Sequence, residues 1–232
     1  MNVSVIIVAA GAGHRLGCDV PKAFVPLAGK PLLRHALDRS LACPEVGHVV
    51  VVAPPSHLAA ARDLVTEAES ATVAVVAGGA ERVESVARGL GALPSDDGLV
   101  LVHDAARCCA PPDLFSRVVA ALRAGHDAVI PGVPVVDTIK TVDAHELVVA
   151  TPARASLRAI QTPQGFVREV LEQAHARAAE HPDVALVTDD AGLVEACGGR
   201  VYVVPGDPLA AKITTPADLA TVERMLAGGS AG

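Results

Sequence analysis

Two permanent cations stand beside a turn of small residues near the start of the chain. Val3–Val8 is an apolar, mostly β-branched run and reads as a buried strand. It stops at Ala9-Ala10-Gly11-Ala12-Gly13-His14-Arg15-Leu16-Gly17, and Pro21-Lys22 follows. A strand ending in small residues leaves backbone N–H groups where a phosphate chain can approach closely. Arg15 and Lys22 place two fixed positive charges near that turn. The chemistry this points to is polyphosphate binding, with Ala9, Ala10, Gly11, Ala12 and Gly13 as the cradle.

A second polar turn follows another apolar run. Leu99–Val102 leads into His103-Asp104-Ala105-Ala106-Arg107. A carboxylate at the carboxyl end of a buried strand can hold Mg²⁺, and Asp104 is the candidate, with turn formation or helix capping as its other reading. His103 reads either as a ligand contact or as a hydrogen-bonded structural histidine.

The elements that must position these residues alternate along the chain. Strands are expected at Val3–Val8, His48–Ala53, Thr72–Val76, Leu99–Val102, Ala128–Pro131 and Arg200–Val204. Helices are expected at Pro31–Leu41, Ser56–Glu67, Glu81–Leu90, Pro111–Arg123, Phe166–Ala179, Asp189–Ala196 and Pro216–Leu226. Val83, Val86, Ala87 and Leu90 share one face at helical spacing. This alternation is that of an α/β fold, a mostly parallel sheet with helices on both faces. In such sheets ligands bind outside the carboxyl ends of the strands, so turns 9–17, 77–80 and 103–107 should converge on one cleft.

Residues 133–151 break the alternation. Val133–Val142 and Glu146–Thr151 flank Asp143-Ala144-His145, the pattern of an inserted β-hairpin. It is either an excursion at the sheet edge or an arm, at about residues 133–156, that packs against a second subunit. Residues 1–227 read as a single domain with no internal repeat, and 228–232 as a flexible tail.

Bulk properties remove several functions. Lys and Arg number 19 against 26 Asp and Glu, a net charge of −7, and aromatic residues make up 2%. Both argue against a nucleic-acid surface. Hydrophobic residues make up 51%, yet no run is long and uncharged enough to span a membrane. Met1-Asn2-Val3 leads straight into a strand without a charged leader, so a cytoplasmic protein is expected. The 5 cysteines (Cys18, Cys43, Cys108, Cys109, Cys197) show no metal-ligand spacing and read as free thiols.

Three phosphate-binding patterns compete for residues 9–17. The P-loop requires Gly-x-x-x-x-Gly-Lys-Ser/Thr, which no stretch supplies. The dinucleotide fingerprint fits Gly11 and Gly13 but finds Leu16 at its third glycine, and the second strand ends in Ala53-Pro54 without an acidic residue. The third pattern, Ala-Ala-Gly-x-Gly-x-Arg-Leu with Pro-Lys after it, resembles the opening of nucleotidyltransferases that join a nucleoside triphosphate to a phosphorylated sugar or polyol. Ala9, Ala10, Gly11, Gly13, Arg15, Leu16, Pro21 and Lys22 match it. Ala77–Val86, Val102–Arg107, Val136–Lys140, Gln161–Gln164, Thr188–Ala191 and Lys212–Leu219 then resemble, in order, the cytidylyltransferases acting on 2-C-methyl-D-erythritol 4-phosphate.

That resemblance spans about residues 3 to 226 and implies a Rossmann-like domain, CTP, Mg²⁺ and a homodimer joined by the hairpin arm. It makes Arg15 and Lys22 the catalytic pair at the triphosphate. Gly78, Gly79 and Ser85 fall where the family recognises cytosine and ribose. Asp104 and Ala105 would lie beside the nucleotide, with Asp104 on the metal. Arg107 would face the polyol phosphate, Lys212 would steady the attacking phosphate, and Thr188 would hydrogen-bond a substrate. Asp189 and Asp190 read either as substrate neighbours or as caps of the next helix. Thr138 and Arg154, near Asp137 and Lys140 of the arm, would reach the polyol phosphate in the neighbouring subunit's site, with Arg158 the competitor for Arg154. Ala80 stands where a polar residue is expected, and Ala23 where glutamine is common. The rival functions are transfer to another polyol phosphate, such as ribitol 5-phosphate, and a non-catalytic nucleotide-sensing module.

Overall fold

Strand β1 (Val3–Val8) splits the core by alternation: Val3, Val5 and Ile7 pack on one side of the sheet and Ile6 on the other. The computed structural model describes residues 2–11, 20–181 and 187–228. β1 lies in the middle of the main sheet, parallel to β4 (Val46–Ala53) and β6 (Leu99–Asp104). β4 pairs in turn with β5 (Val73–Ala77), also parallel.

Beyond β6 the sheet becomes mixed. β11 (Gln164–Val167) runs antiparallel to β6 and to β7 (Ala128–Pro134). β7 also takes β10 (Arg158–Ile160) antiparallel and β12 (Val201–Pro205) parallel. The order is β10-β7-β11-β6-β1-β4-β5, with β12 on β7. A small ladder, β2 (Pro26–Leu27) with β3 (Lys30–Pro31), stands apart.

Helices cover both faces. α1 (Leu32–Leu41) and α4 (Pro112–Arg123) bury Leu33, Leu37, Phe115 and Val118 in one cluster with Val5 and Val49. α3 (Arg82–Gly91), α5 (Arg168–Glu180) and α6 (Asp190–Ala196) bury Val86, Leu171 and Leu193 in the other, with Ile6 and Val102. α7 (Pro216–Gly228) closes the described chain.

Two expected helices differ in extent. The segment expected as Ser56–Glu67 is helical only as a short turn and α2 (Leu58–Arg62). Thr66 and Glu69 form a reciprocal capping box that starts a new turn at Glu67. The helix expected from Phe166 begins at Arg168, because Phe166 pairs with Val100 and Ala128 as strand. Gly165 permits this: a Cβ there would stand 2.4 Å from Val118 Cγ1.

The insertion is a hairpin. β8 (Thr141–Val142) pairs antiparallel with β9 (Val148–Ala150). Asp143 Oδ1 accepts from the His145 N–H at 2.8 Å and the Leu147 N–H at 3.0 Å, which closes the turn. Val136, Leu147, Val148 and Val149 are exposed in the single chain. Cys43, Cys108, Cys109 and Cys197 are free thiols, and Cys18 lies outside the described residues. Among the described residues no helix is long and apolar enough to cross a membrane.

Candidate active site

The ends of β1, β5 and β6 open into two adjoining cavities. The first, about 250 Å³, is lined by Val8–Gly11, Lys22, Ala23, Gly79–Arg82, Ser85, Asp104–Ala106 and Lys212. The expected convergence of three turns thus holds for their described parts. Arg15, Ala12 and Gly13 lie outside the described residues.

The second cavity, about 240 Å³, is lined by Arg82, Asp104, Arg107, Ile160–Thr162, Gln164, Thr188, Asp189 and Lys212. Arg82, Asp104 and Lys212 belong to both walls and mark the junction.

Asp104 ends the buried strand β6, and its side chain is only 13% exposed. Lys212 Nζ donates to its Oδ2 at 2.8 Å, and Arg82 Nη2 lies 3.5 Å from its Oδ1. Burial alone would push this carboxyl up, but Arg82 and Lys212 outweigh it and bring the pKa down to about 2. The junction therefore carries an ionised carboxylate between two cations. Lys212 arrives there because the Ile213 N–H donates to Ala106 O at 2.9 Å.

The turn after β5 is wired from α3. The Gly79 N–H donates to Ser85 Oγ at 3.0 Å, and Ser85 Oγ donates to Glu81 O at 3.0 Å. The Ala80 N–H donates to Glu84 Oε2 at 2.8 Å, and Arg88 Nη1 donates to Gly78 O at 2.7 Å. Ser85 is buried, so its hydroxyl shapes the turn as well as lining the cavity. Gly78 has no room for a side chain: a Cβ would stand 2.4 Å from Ala10 Cβ. That contact sets the spacing between the β1 and β5 turns.

Other expected residues divide. Arg107 lines the second cavity but is partly committed, donating to Ala210 O at 2.8 Å and Ile160 O at 3.0 Å. Thr188 lines the same cavity. Asp189 is the N-cap of α6, accepting from the Gly192 N–H at 3.0 Å. His103 is fully buried against Phe115 and meets the Thr162 hydroxyl at 2.9 Å. Burial lowers its pKa to about 4, so it is a neutral structural histidine. Thr138 and Arg154 stand on the arm, outside both cavities of their own chain, and Arg154 Nη1 donates to Val136 O at 2.8 Å. Lys140 Nζ donates to Thr151 Oγ1 at 2.8 Å. Arg158 donates to Ala155 O and Leu157 O of its own loop.

Residues 3–228 match the family described as IspD, 2-C-methyl-D-erythritol 4-phosphate cytidylyltransferase. The chain belongs to this family. It is 51% identical over 225 residues to the 2-C-methyl-D-erythritol 4-phosphate cytidylyltransferase of Nocardia farcinica, covering 97% of this chain and 94% of that one. The solved 4-diphosphocytidyl-2C-methyl-D-erythritol synthase of Anaerococcus prevotii aligns with a TM-score of 0.84 at 29% identity, covering 97% of this chain and 98% of that one. The cytidylyltransferase of Thermus thermophilus aligns at 0.77 and 37% identity, covering 97% and 98%.

Sequence reasoning assigned no role to Arg82, which lies inside the run resembling the family. The available signal was an arginine three residues after a Gly-Gly pair, at the start of a helix. The Gln161 amide, another unassigned group, clamps the rim: it donates to Asp207 O at 2.8 Å and accepts from the Asp207 N–H at 2.9 Å. No spacing rule reaches across those residues.

Proposed function

We propose that the two cavities divide the substrates, CTP in the first and the acceptor phosphate in the second. As a member of its family the chain transfers CMP from CTP to 2-C-methyl-D-erythritol 4-phosphate, releasing pyrophosphate, in isoprenoid precursor synthesis. The observation that carries the division is the shared wall of Arg82, Asp104 and Lys212, where a triphosphate from one side meets a phosphate from the other.

One oxygen of the acceptor phosphate attacks the α-phosphorus of CTP, and the bond to the bridging oxygen of pyrophosphate breaks. A phosphate monoester, with a second pKa of about 6, is already largely dianionic at neutral pH, so no general base is required. Catalysis is then positioning and charge stabilisation. Lys22 and Arg15 neutralise the triphosphate and the charge that grows on it. Lys212 steadies the attacking phosphate, with Arg107 and Thr188 around the acceptor. The small residues Ala9–Gly11 and Gly79–Ala80 let the nucleotide approach the backbone of both turns closely, and cytosine is read by backbone where Ala80 offers no polar side chain.

Asp104 fits a metal that arrives with the nucleotide. Among the described residues no group of three or more His, Cys, Asp or Glu could hold an ion without a substrate. Mg²⁺ commonly takes one or two carboxylates together with substrate phosphates. Bound there, it would supply charge neutralisation at the triphosphate.

The exposed apolar arm supports a homodimer, in which Thr138 and Arg154 complete the acceptor site of the partner. The test is pyrophosphate release with several nucleotides and with both 2-C-methyl-D-erythritol 4-phosphate and ribitol 5-phosphate. Turnover with CTP and the erythritol compound is expected. Exclusive use of the ribitol compound, or no turnover, would overturn the assignment.

A further inference from the structure

Five side chains from five parts of the fold form one line of alternating contacts that ends at the junction. Lys212 Nζ meets Asp104 Oδ2 at 2.8 Å, and Asp104 Oδ1 faces Arg82 Nη2 at 3.5 Å. Arg82 Nη1 donates to Asp190 Oδ2 at 2.7 Å. His175 Nε2, on α5, meets Asp190 Oδ1 at 2.9 Å. Asp190 is fully buried and His175 nearly so, while Arg82 keeps 27% of its side chain exposed toward the cavities.

Stability does not account for this line. Arg82 opens α3, where the helix dipole disfavours a cation. A buried ion pair barely repays its own desolvation. Burial pushes the Asp190 carboxyl up, and Arg82 and His175 together pull it below its usual value. The His175 ring spends a buried Nδ1 that finds no hydrogen-bond partner among the described residues. What the arrangement supplies is direction. His175 occupies one oxygen of Asp190, so the carboxylate cannot turn. The other oxygen then fixes one edge of the planar guanidinium, and the second edge points into the junction.

Resting on the function proposed above, we infer that His175 and Asp190 are positioning residues that aim Arg82 at the shared wall, where its guanidinium touches the phosphates of both substrates. Arg82 is then a catalytic residue of the transfer, and His175 acts on the reaction without touching a substrate.

The test compares His175→Leu with His175→Gln in the full-length enzyme, per folded molecule. The glutamine amide keeps a donor for Asp190, and leucine does not. His175→Leu is expected to lower kcat about tenfold and to raise KM for the acceptor, a fraction of the roughly 100-fold that a full 1 Å misplacement can cost. His175→Gln should recover most of the loss. Equal kinetics for the two variants would overturn the inference. If His175→Leu does not fold, Arg82→Lys decides: the more exposed Arg82 keeps its charge but loses the two-edged fork, so the same rise in acceptor KM and fall in kcat are expected. Wild-type constants in Arg82→Lys would refute the role. Lys22→Ala separates the two levels. Its inactivity beside unchanged His175 and Arg82 variants rejects only the positioning line, whereas its normal turnover rejects the functional reading beneath it.

Discussion

Lys212 Nζ donates to Asp104 Oδ2 at 2.8 Å across a separation of 108 residues. The ammonium is thus held at the junction before any phosphate arrives, and its rotamer freedom is already spent. Lys212→Met should lower turnover by about 100-fold or more, on the scale of losing a charge stabiliser. Lys212→Arg should retain part of it. Pyrophosphate-release kinetics with purified variants check this, and wild-type turnover in Lys212→Met would remove Lys212 from the reaction.

The proposed crossing of the arm between subunits predicts complementation. Lys22→Ala and Arg154→Ala should each lose about 100-fold or more in turnover. Mixed and allowed to exchange, about half of the dimers become hybrids, and each hybrid holds one intact site, so the mixture should recover about a quarter of wild-type activity. Activity that stays at the level of the separate variants would refute the shared site.

Gly78→Ala should act through geometry alone. The added Cβ would meet Ala10 Cβ at 2.4 Å and Ser85 Oγ at 3.0 Å, so the two nucleotide-facing turns must move apart. Overpacking of this kind costs about 1–3 kcal/mol of stability. KM for CTP should rise about tenfold, or about 1.4 kcal/mol. Thermal unfolding and CTP titration report the two effects separately.

Outside the lining of both cavities, Arg34 grips Glu69 through both Nη atoms, at 2.7 and 2.6 Å. That hydrogen bonding holds the Glu69 carboxyl at about 2, below its ordinary 4.5. The folded pKa is depressed, so the stabilisation is present above the unfolded value and is lost as pH falls from about 4.5 to about 2. A carboxyl titration by NMR should place Glu69 near the lower value. Arg34→Leu should return it toward the ordinary range and flatten the stability change over that window.

The sequence made the strands and the cleft readable because β-branched runs ending in glycine or alanine turns are local signals. Val3–Val8 and Leu99–Val102 carry their own periodicity, and the positions of Lys22 and Asp104 follow from where those strands end. Phe166 misled because a short apolar run beside a helical pattern looks like the helix's first turn. Its pairing with Val100 and Ala128 is set by distant strands. The Arg82–Asp190–His175 line was hidden for the same reason. Its members lie on three helices with no fixed spacing, and only packing brings them together.

The most direct measurement is a structure of the protein with a non-hydrolysable CTP analogue and the acceptor phosphate bound together. Cytosine is expected beside Gly79 and Ala80, the acceptor phosphate among Arg107 and Thr188, and the α-phosphate at the Arg82–Asp104–Lys212 wall. A nucleotide bound outside the first cavity, or an acceptor phosphate with no approach to that wall, would contradict the proposed division of substrates.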